Sequence, residues 1–166
     1  MQPLDKISDI MFRSFFLTAD KITKYIYRIS NGAIGHQQAS FRILLLSTIG
    51  RKSGLVRTHS LLYVRVDEGL VVVASNGGND QHPQWYLNLL KNPHVQIQVG
   101  RKRFDVFAQV EESTKREVLW KKLQREWPYY NRYQEGTSRI FPIILFSMRK
   151  LISTADGGDL ENVIVW

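Results

Sequence analysis

A chain of 166 residues, 43% of them hydrophobic, is long enough for one compact domain with a real core, which excludes wholesale disorder. It contains no cysteine, so disulfides, thiolate nucleophiles and Cys-based zinc or iron–sulfur sites are excluded. Lys and Arg number 23 against 15 Asp and Glu, and the net charge of +8 favours an anionic partner: nucleic acid, membrane, or a phosphorylated or carboxylated small molecule.

No stretch approaches ~18 uninterrupted apolar residues, so no membrane-spanning helix is expected, and the amino end shows no secretory-signal pattern. Residues 4–30 read as an amphipathic helix or helix pair. Ile7, Ile10, Met11, Phe15, Ile22, Tyr25, Ile26 and Ile29 recur at helical spacing among Lys6, Arg13, Lys21, Lys24 and Arg28. Such a segment either packs on its own domain or rests on an anionic membrane surface. Asn31-Gly32 stops it.

Residues 43–48 form a short apolar run expected to be a buried strand, and 57–65 a second one. The turn Gly50-Arg51-Lys52-Ser53-Gly54 between them makes 43–65 a β-hairpin. Gly69 marks the next turn and 70–75 a valine-rich strand, followed by the loop Asn76-Gly77-Gly78-Asn79-Asp80. Pro83 opens a short helix that Asn92-Pro93 closes. Val95, Ile97 and Val99 alternate as in a half-buried strand, Gly100 turns the chain, and 104–110 returns. Thr114 with Glu117 has the spacing of a capping box for a helix reaching about Glu126. Residues 140–148 give another strand, and the final Val163-Ile164-Val165-Trp166 suits a sheet edge. Six or more short strands with a few helices predict an α+β single domain, 1–166, around an antiparallel barrel, with 149–166 as an extension.

Four groups of residues bear on chemistry. In the basic turn, backbone N–H groups, the Ser53 hydroxyl and the cations of Arg51, Lys52 and Arg57 converge on phosphate or carboxylate oxygens, or else form a solvated surface turn. A nucleotide-hydrolase phosphate loop is excluded, because its glycine spacing and following helix are missing. In Ala74-Ser75-Asn76-Gly77-Gly78, glycine lets a planar ring approach the backbone, unless the segment is a plain loop. Trp85 either covers an aromatic cofactor or belongs to the core. The run Trp127-Pro128-Tyr129-Tyr130-Asn131-Arg132-Tyr133 is a helix end or loop that either lines a pocket or packs. The four histidines show no ligand spacing, so no metal site is expected, and scattered basic residues argue against nucleic acid.

Read together, 44–54, Arg57, 62–65, 72–78 and the helix motif Pro83-Gln84-Trp85-Tyr86-Leu87-Asn88-Leu89 resemble the deazaflavin-dependent nitroreductase family, which includes quinone reductases that use coenzyme F420. The resemblance runs over roughly 5–148. It implies a split β-barrel of the FMN-binding, flavin-reductase kind with an N-terminal helix. The implied activity is hydride transfer from reduced F420 to a small-molecule acceptor: a quinone, a nitro compound or an activated alkene. The same resemblance implies that Arg51, Lys52, Ser53 and Arg57 hold the coenzyme's phosphate and oligoglutamate tail. Ser75, Asn76 and Gly77 would border the ring, beside His59 and Ser60, with Trp85 and Asn88 supporting the pocket. Trp127, Tyr130 and Tyr133 fall beside the acceptor, and Ser75, Tyr130 or Tyr133 donates a proton or orients a water. The departures are His59-Ser60 where some members carry Asn-Pro, Asn76 where some carry Lys, and Trp127 for a tyrosine. The cationic turn suits a long acidic tail better than the single phosphate of FMN, the alternative cofactor. Other relatives of the barrel hold haem or a lipid-like ligand, and a non-catalytic anion- or membrane-binding protein is a third reading. A monomer or homodimer is expected in the cytoplasm or at the inner face of the plasma membrane, with residues 4–30 as the membrane contact.

Overall fold

In the computed structural model the described residues are 21–33, 37–38, 41–112 and 114–147. Helix α1 (residues 21–29) is the described part of the expected 4–30 segment; the rest of that segment and the 149–166 extension, with its suggested edge strand, lie outside the described residues. Helix α1 buries Thr23 and Tyr27 and leaves Ile22, Tyr25 and Ile29 exposed. The Tyr27 hydroxyl accepts from the Gly100 N–H at 2.7 Å and lies within reach of the Gln98 and Ile43 carbonyls. Asn31 and Gly32 end the helix with positive φ, as expected. At Gly32 a Cβ would collide with the Gly100 carbonyl, so only glycine permits this close approach.

The strands are β1 (Gln37–Gln38), β2 (Phe41–Ile49), β3 (Val56–Leu62), β4 (Val64–Val66), β5 (Gly69–Val73), β6 (His94–Val99), β7 (Lys102–Val110) and β8 (Ile143–Ser147). All pairings are antiparallel, in the order β1-β2-β6-β7-β8-β5-β4, with β3 on β2. The expected strand 57–65 is thus two strands broken at Tyr63. Its first part pairs with β2, Leu62 opposite Ile43, and its second with β5, Val64 opposite Val71. One broken strand therefore ties both ends of the sheet together, and the sheet curls into a split barrel.

Alternation divides the apolar residues between two cores. Leu44, Leu46, Leu70, Val72, Ile97 and Phe146 fill the barrel with Trp85 and Leu89 of α2 (Gln84–Lys91). Val71, Val73 and Ile143 point the other way, under α3 (Lys115–Glu126) and α4 (Tyr129–Glu135). Strand β5 is buried on both faces, which is why its sequence is an unbroken valine run instead of an alternating one.

Four local expectations need correction. Strand β5 ends at Val73, because Ala74 already donates its N–H to the Pro142 carbonyl ahead of β8. Strand β8 begins at Ile143, one residue after Pro142, which has no N–H to give a ladder. The Thr114–Glu117 capping box does not form: Thr114 has helical φ −55° and ψ −22° and makes no side-chain cap bond, whereas a capping side chain needs an extended backbone. The aromatic run placed at a helix end or loop supplies most of a helix of its own, α4, with Trp127 closing α3.

Candidate functional site

The basic turn is closed by its own backbone: Gly50 N–H donates to the Leu55 carbonyl and Gly54 N–H to the Gly50 carbonyl, each at 2.8 Å. Helix α2 then clamps it. Asn88, only 4% exposed, accepts from the Arg51 N–H at 3.1 Å and from the Arg51 guanidinium at 3.2 Å, and donates to the Thr48 hydroxyl at 3.2 Å. Gln84 accepts from the same guanidinium at 2.9 Å. Arg51 and Asn88 thus form the brace that joins turn to helix, while Lys52, Ser53 and Arg57 stand exposed on the turn and the strand leaving it. Thr48 and Gln84, partners in the brace, carried no sequence signal beyond their polarity.

The second part of the site is the split. Continuing the β4–β5 register backward would set Ser60 opposite Ser75 and His59 opposite Asn76, yet β3 pairs only with β2 there. Arg57, His59 and Ser60 therefore lie on one lip and Ser75, Asn76 and Gly77 on the other. On the second lip a 3-10 turn, Asn76–Gly78, has positive φ at all three positions, 53°, 62° and 78°. At Gly77 a Cβ would meet open space, so the lip presents bare backbone to the cleft; at Gly78 it would stand 3.2 Å from the backbone of Tyr133, which packs α4 against the turn.

Arg139 holds this lip. Its guanidinium donates to the carbonyls of Ala74 at 3.0 Å, Ser75 at 2.7 Å and Asn79 at 2.9 and 3.0 Å, and lies 4.7 Å from the centre of the Phe141 ring. It also meets His82 Nδ1 at 3.1 Å. Arginine can only donate, so Nδ1 accepts and the imidazole is neutral at that nitrogen. Burial, then the cation, hold the His82 pKa below its usual value. Sequence reading missed Arg139, an isolated cation between two helices and a strand, because nothing local marks it.

The aromatic residues divide. Trp85 is 5% exposed inside the barrel, whereas Tyr130, also 5% exposed, packs in the outer core against Trp120. The Trp127 indole N–H donates to the Tyr133 hydroxyl, which burial pushes up to about 12. Burial raises the Tyr130 hydroxyl further still. A cavity of about 290 Å³ opens where β3 breaks into β4, with Trp127 and Tyr130 in its wall.

The topology and the two-lipped cleft define a split β-barrel with a cationic turn at one end of the split. The family model for F420H(2)-dependent quinone reductase matches residues 20–147. The chain belongs to the F420H(2)-dependent quinone reductase family. It is 40% identical over 128 residues to an F420H(2)-dependent quinone reductase of Mycobacterium tuberculosis (strain H37Rv), covering 75% of this chain and 86% of that one. Among solved structures it is similar to an F420-H2 dependent reductase, with 38% identity, a TM-score of 0.58, and 63% of this chain and 92% of that one covered. A second solved relative, described as a domain-swapped dimer, shows 34% identity and a TM-score of 0.60 over 75% of this chain and 96% of its own.

Proposed function

We propose that this chain is an F420-dependent reductase that holds the deazaflavin across the split and delivers its hydride to a quinone. The observation that carries the reading is the split itself: a cleft with bare backbone on one lip, leading to a braced turn with exposed cations. These residues fit the coenzyme. The open position at Gly77 admits a flat ring against the backbone, and Lys52, Ser53 and Arg57 offer charge and hydrogen bonds to its phosphate and acidic tail.

When bound, reduced F420 supplies the hydride. The protein's own task is to position and to exclude water. Asn88 and Arg51 fix the turn, Arg139 fixes the Ser75–Asn79 lip, and His59, Ser60, Ser75 and Asn76 set the width of the cleft. Trp127 and Tyr133 stand toward the acceptor as a hydrogen-bonded pair. A phenol with a pKa of about 12 is a weaker acid than an ordinary phenol, so Tyr133 serves better as a hydrogen-bond donor than as the proton source. Tyr130, more deeply buried, supports Tyr133 edge to face at 6.4 Å. Ser75 lies on the cleft and is better placed to orient a water that delivers the proton. Nitro compounds and activated alkenes are further acceptors for the same hydride chemistry, to be compared with quinones in the same assay.

Fluorescence titration of the apoprotein with F420 and with FMN, then turnover of menadione by the reduced coenzyme, tests the reading. Binding of F420 with menadione turnover is expected, with affinity falling at least tenfold in Lys52→Ala/Arg57→Ala. Binding of FMN alone would overturn it.

Contact with an anionic membrane is a separate proposal. The exposed Ile22, Tyr25 and Ile29 recur on one face of α1 beside Lys21, which suits an interfacial helix, while Lys24 turns to the Thr58 carbonyl of the sheet. Sedimentation with phosphatidylglycerol vesicles is expected to carry the protein down at low salt; protein left wholly in solution would remove the idea.

A further inference from the structure

The cavity beside the β3–β4 break is backed by aromatic and aliphatic residues and has a charged rim. Leu62, Tyr63 and Val64 come from the break, and Leu123, Trp127 and Tyr130 from the two helices that cover it. Tyr63, Leu123 and Tyr130 are buried at its back, which sets two aromatic rings behind the lining. The exposed residues of the lining are Arg42, Arg65, Lys122 and Glu126, three cations against one carboxylate. Their placement follows from the fold. Arg42 enters because its carbonyl takes the Tyr63 N–H at 3.0 Å, which sets it beside the break. Lys122 reaches from α3 to donate to the Arg65 carbonyl at 2.9 Å, which draws the helix's cation to the same rim.

We propose that this cavity is the acceptor's subsite and that Arg42, Arg65 and Lys122 make it selective for a planar aromatic carrying an acidic group, such as a carboxylated or sulfonated quinone. The proposal rests on the reductase reading for the identity of the reaction, but its binding chemistry is independent of it. A neutral quinone stacks on the aromatic residues at the back and leaves the rim to water. An acidic substituent meets two guanidinium groups, whose planar forks match a carboxylate or sulfonate. The raised Tyr63 pKa, set by burial and opposed by Arg65 and Arg42, agrees with both cations facing the back of the cavity. The volume of about 290 Å³ suits a fused two-ring compound, near the lower end for small-molecule sites.

The test uses redox-inert probes and the whole chain. Calorimetric titration of the apoprotein with 2-naphthoate and 2-naphthamide compares one ring system with and without the charge. The naphthoate is expected to bind about tenfold tighter at low salt, with the preference shrinking as salt rises. Arg42→Gln/Arg65→Gln should abolish the preference while leaving the naphthamide constant unchanged; both side chains are exposed, so the fold survives. Equal binding of the two probes, or a preference that persists in the double variant, would overturn the proposal. A loss of F420 affinity in the double variant matching the loss for naphthoate would also overturn it, because the rim would then serve the coenzyme's acidic tail. A second measurement separates the two readings: with reduced F420, kcat/KM for 1,2-naphthoquinone-4-sulfonate should exceed that for menadione, and the order should reverse in the double variant. Charge-selective binding without turnover of either quinone would leave the subsite standing and overturn the reductase reading instead.

Discussion

Two segments frame the cleft, and each is fixed by a polar side chain from a distant element, yet they are built differently. The basic turn is held by Asn88, a neutral amide 4% exposed, which bonds both the backbone and the side chain of Arg51. The glycine lip is held by Arg139, a cation whose donors end on carbonyls of Ala74, Ser75 and Asn79. The first clamp leaves the cations of the turn available, since Lys52 and Arg57 are not its members. The second ties a cation to the carbonyls of Ala74, Ser75 and Asn79, while the Gly78 and Asn79 N–H groups close the turn on the Ser75 and Asn76 carbonyls. A turn that offers positive side chains and a lip whose backbone lies open at Gly77 thus contribute to a ligand site by separate means.

The largest expected effect comes from removing the second clamp. Arg139→Met keeps much of the side chain's volume but leaves the part-buried Ala74, Ser75 and Asn79 carbonyls without these donors, and hydrogen bonds from a charged group contribute about 1.5–3 kcal/mol each before compensation by water. A loss of about 3 kcal/mol of stability in urea unfolding is expected, together with weaker F420 binding. Arg139→Lys should recover only part of it, because an ammonium cannot serve three carbonyls in the plane of a guanidinium. Asn88→Ala removes a smaller set of bonds and should cost about 2 kcal/mol, the range for a buried polar group losing its partner. Its effect on F420 binding should be confined to the tail end of the coenzyme. If Arg139→Met proves no more damaging than Asn88→Ala, the two clamps are equivalent and the contrast drawn between them fails.

The unequal construction also decides what was legible in the sequence. Hairpin turns, the strand alternation and the α2 motif are local patterns, and the six expected strands fall close to β2, β3 with β4, β5, β6, β7 and β8, whereas the two-residue β1 was not expected. The motif Pro83–Leu89 even carried Asn88, whose spacing on one helix face aims it at the turn. What could not be read was whatever depends on register between distant strands. The break at Tyr63 is invisible locally, because 57–65 contains no Gly or Pro to mark it; only pairing with both β2 and β5 forces the bend. The split follows from that bend; of its two sides, the glycine loop 74–78 was read from its own residues, whereas His59 and Ser60 entered only through family resemblance. Arg139 was missed for the same reason, its partners lying some 60 residues earlier in the chain. Arg51 was read as a ligand-binding cation, while the fold gives its guanidinium the additional role of a brace.

The smallest and sharpest effect separates conformation from function within the two segments. Gly54 in the turn and Gly77 in the lip both have left-handed backbone, φ +68° and +62°, and at both a Cβ would meet open space. Alanine at either position therefore costs the left-handed penalty alone, about 1 kcal/mol, with no steric collision in the folded chain. The two variants should be indistinguishable in urea unfolding. They should differ in ligand binding, since a methyl group at Gly77 occupies the space where a flat ring would lie against the backbone, whereas one at Gly54 points away from the brace into solvent. A fall in F420 affinity of roughly tenfold or more is expected for Gly77→Ala and less than twofold for Gly54→Ala, the first corresponding to about 1.4 kcal/mol. Equal affinities in the two variants would mean that the open space at Gly77 is not where the ring sits, and the lip would have to be assigned to something other than the coenzyme.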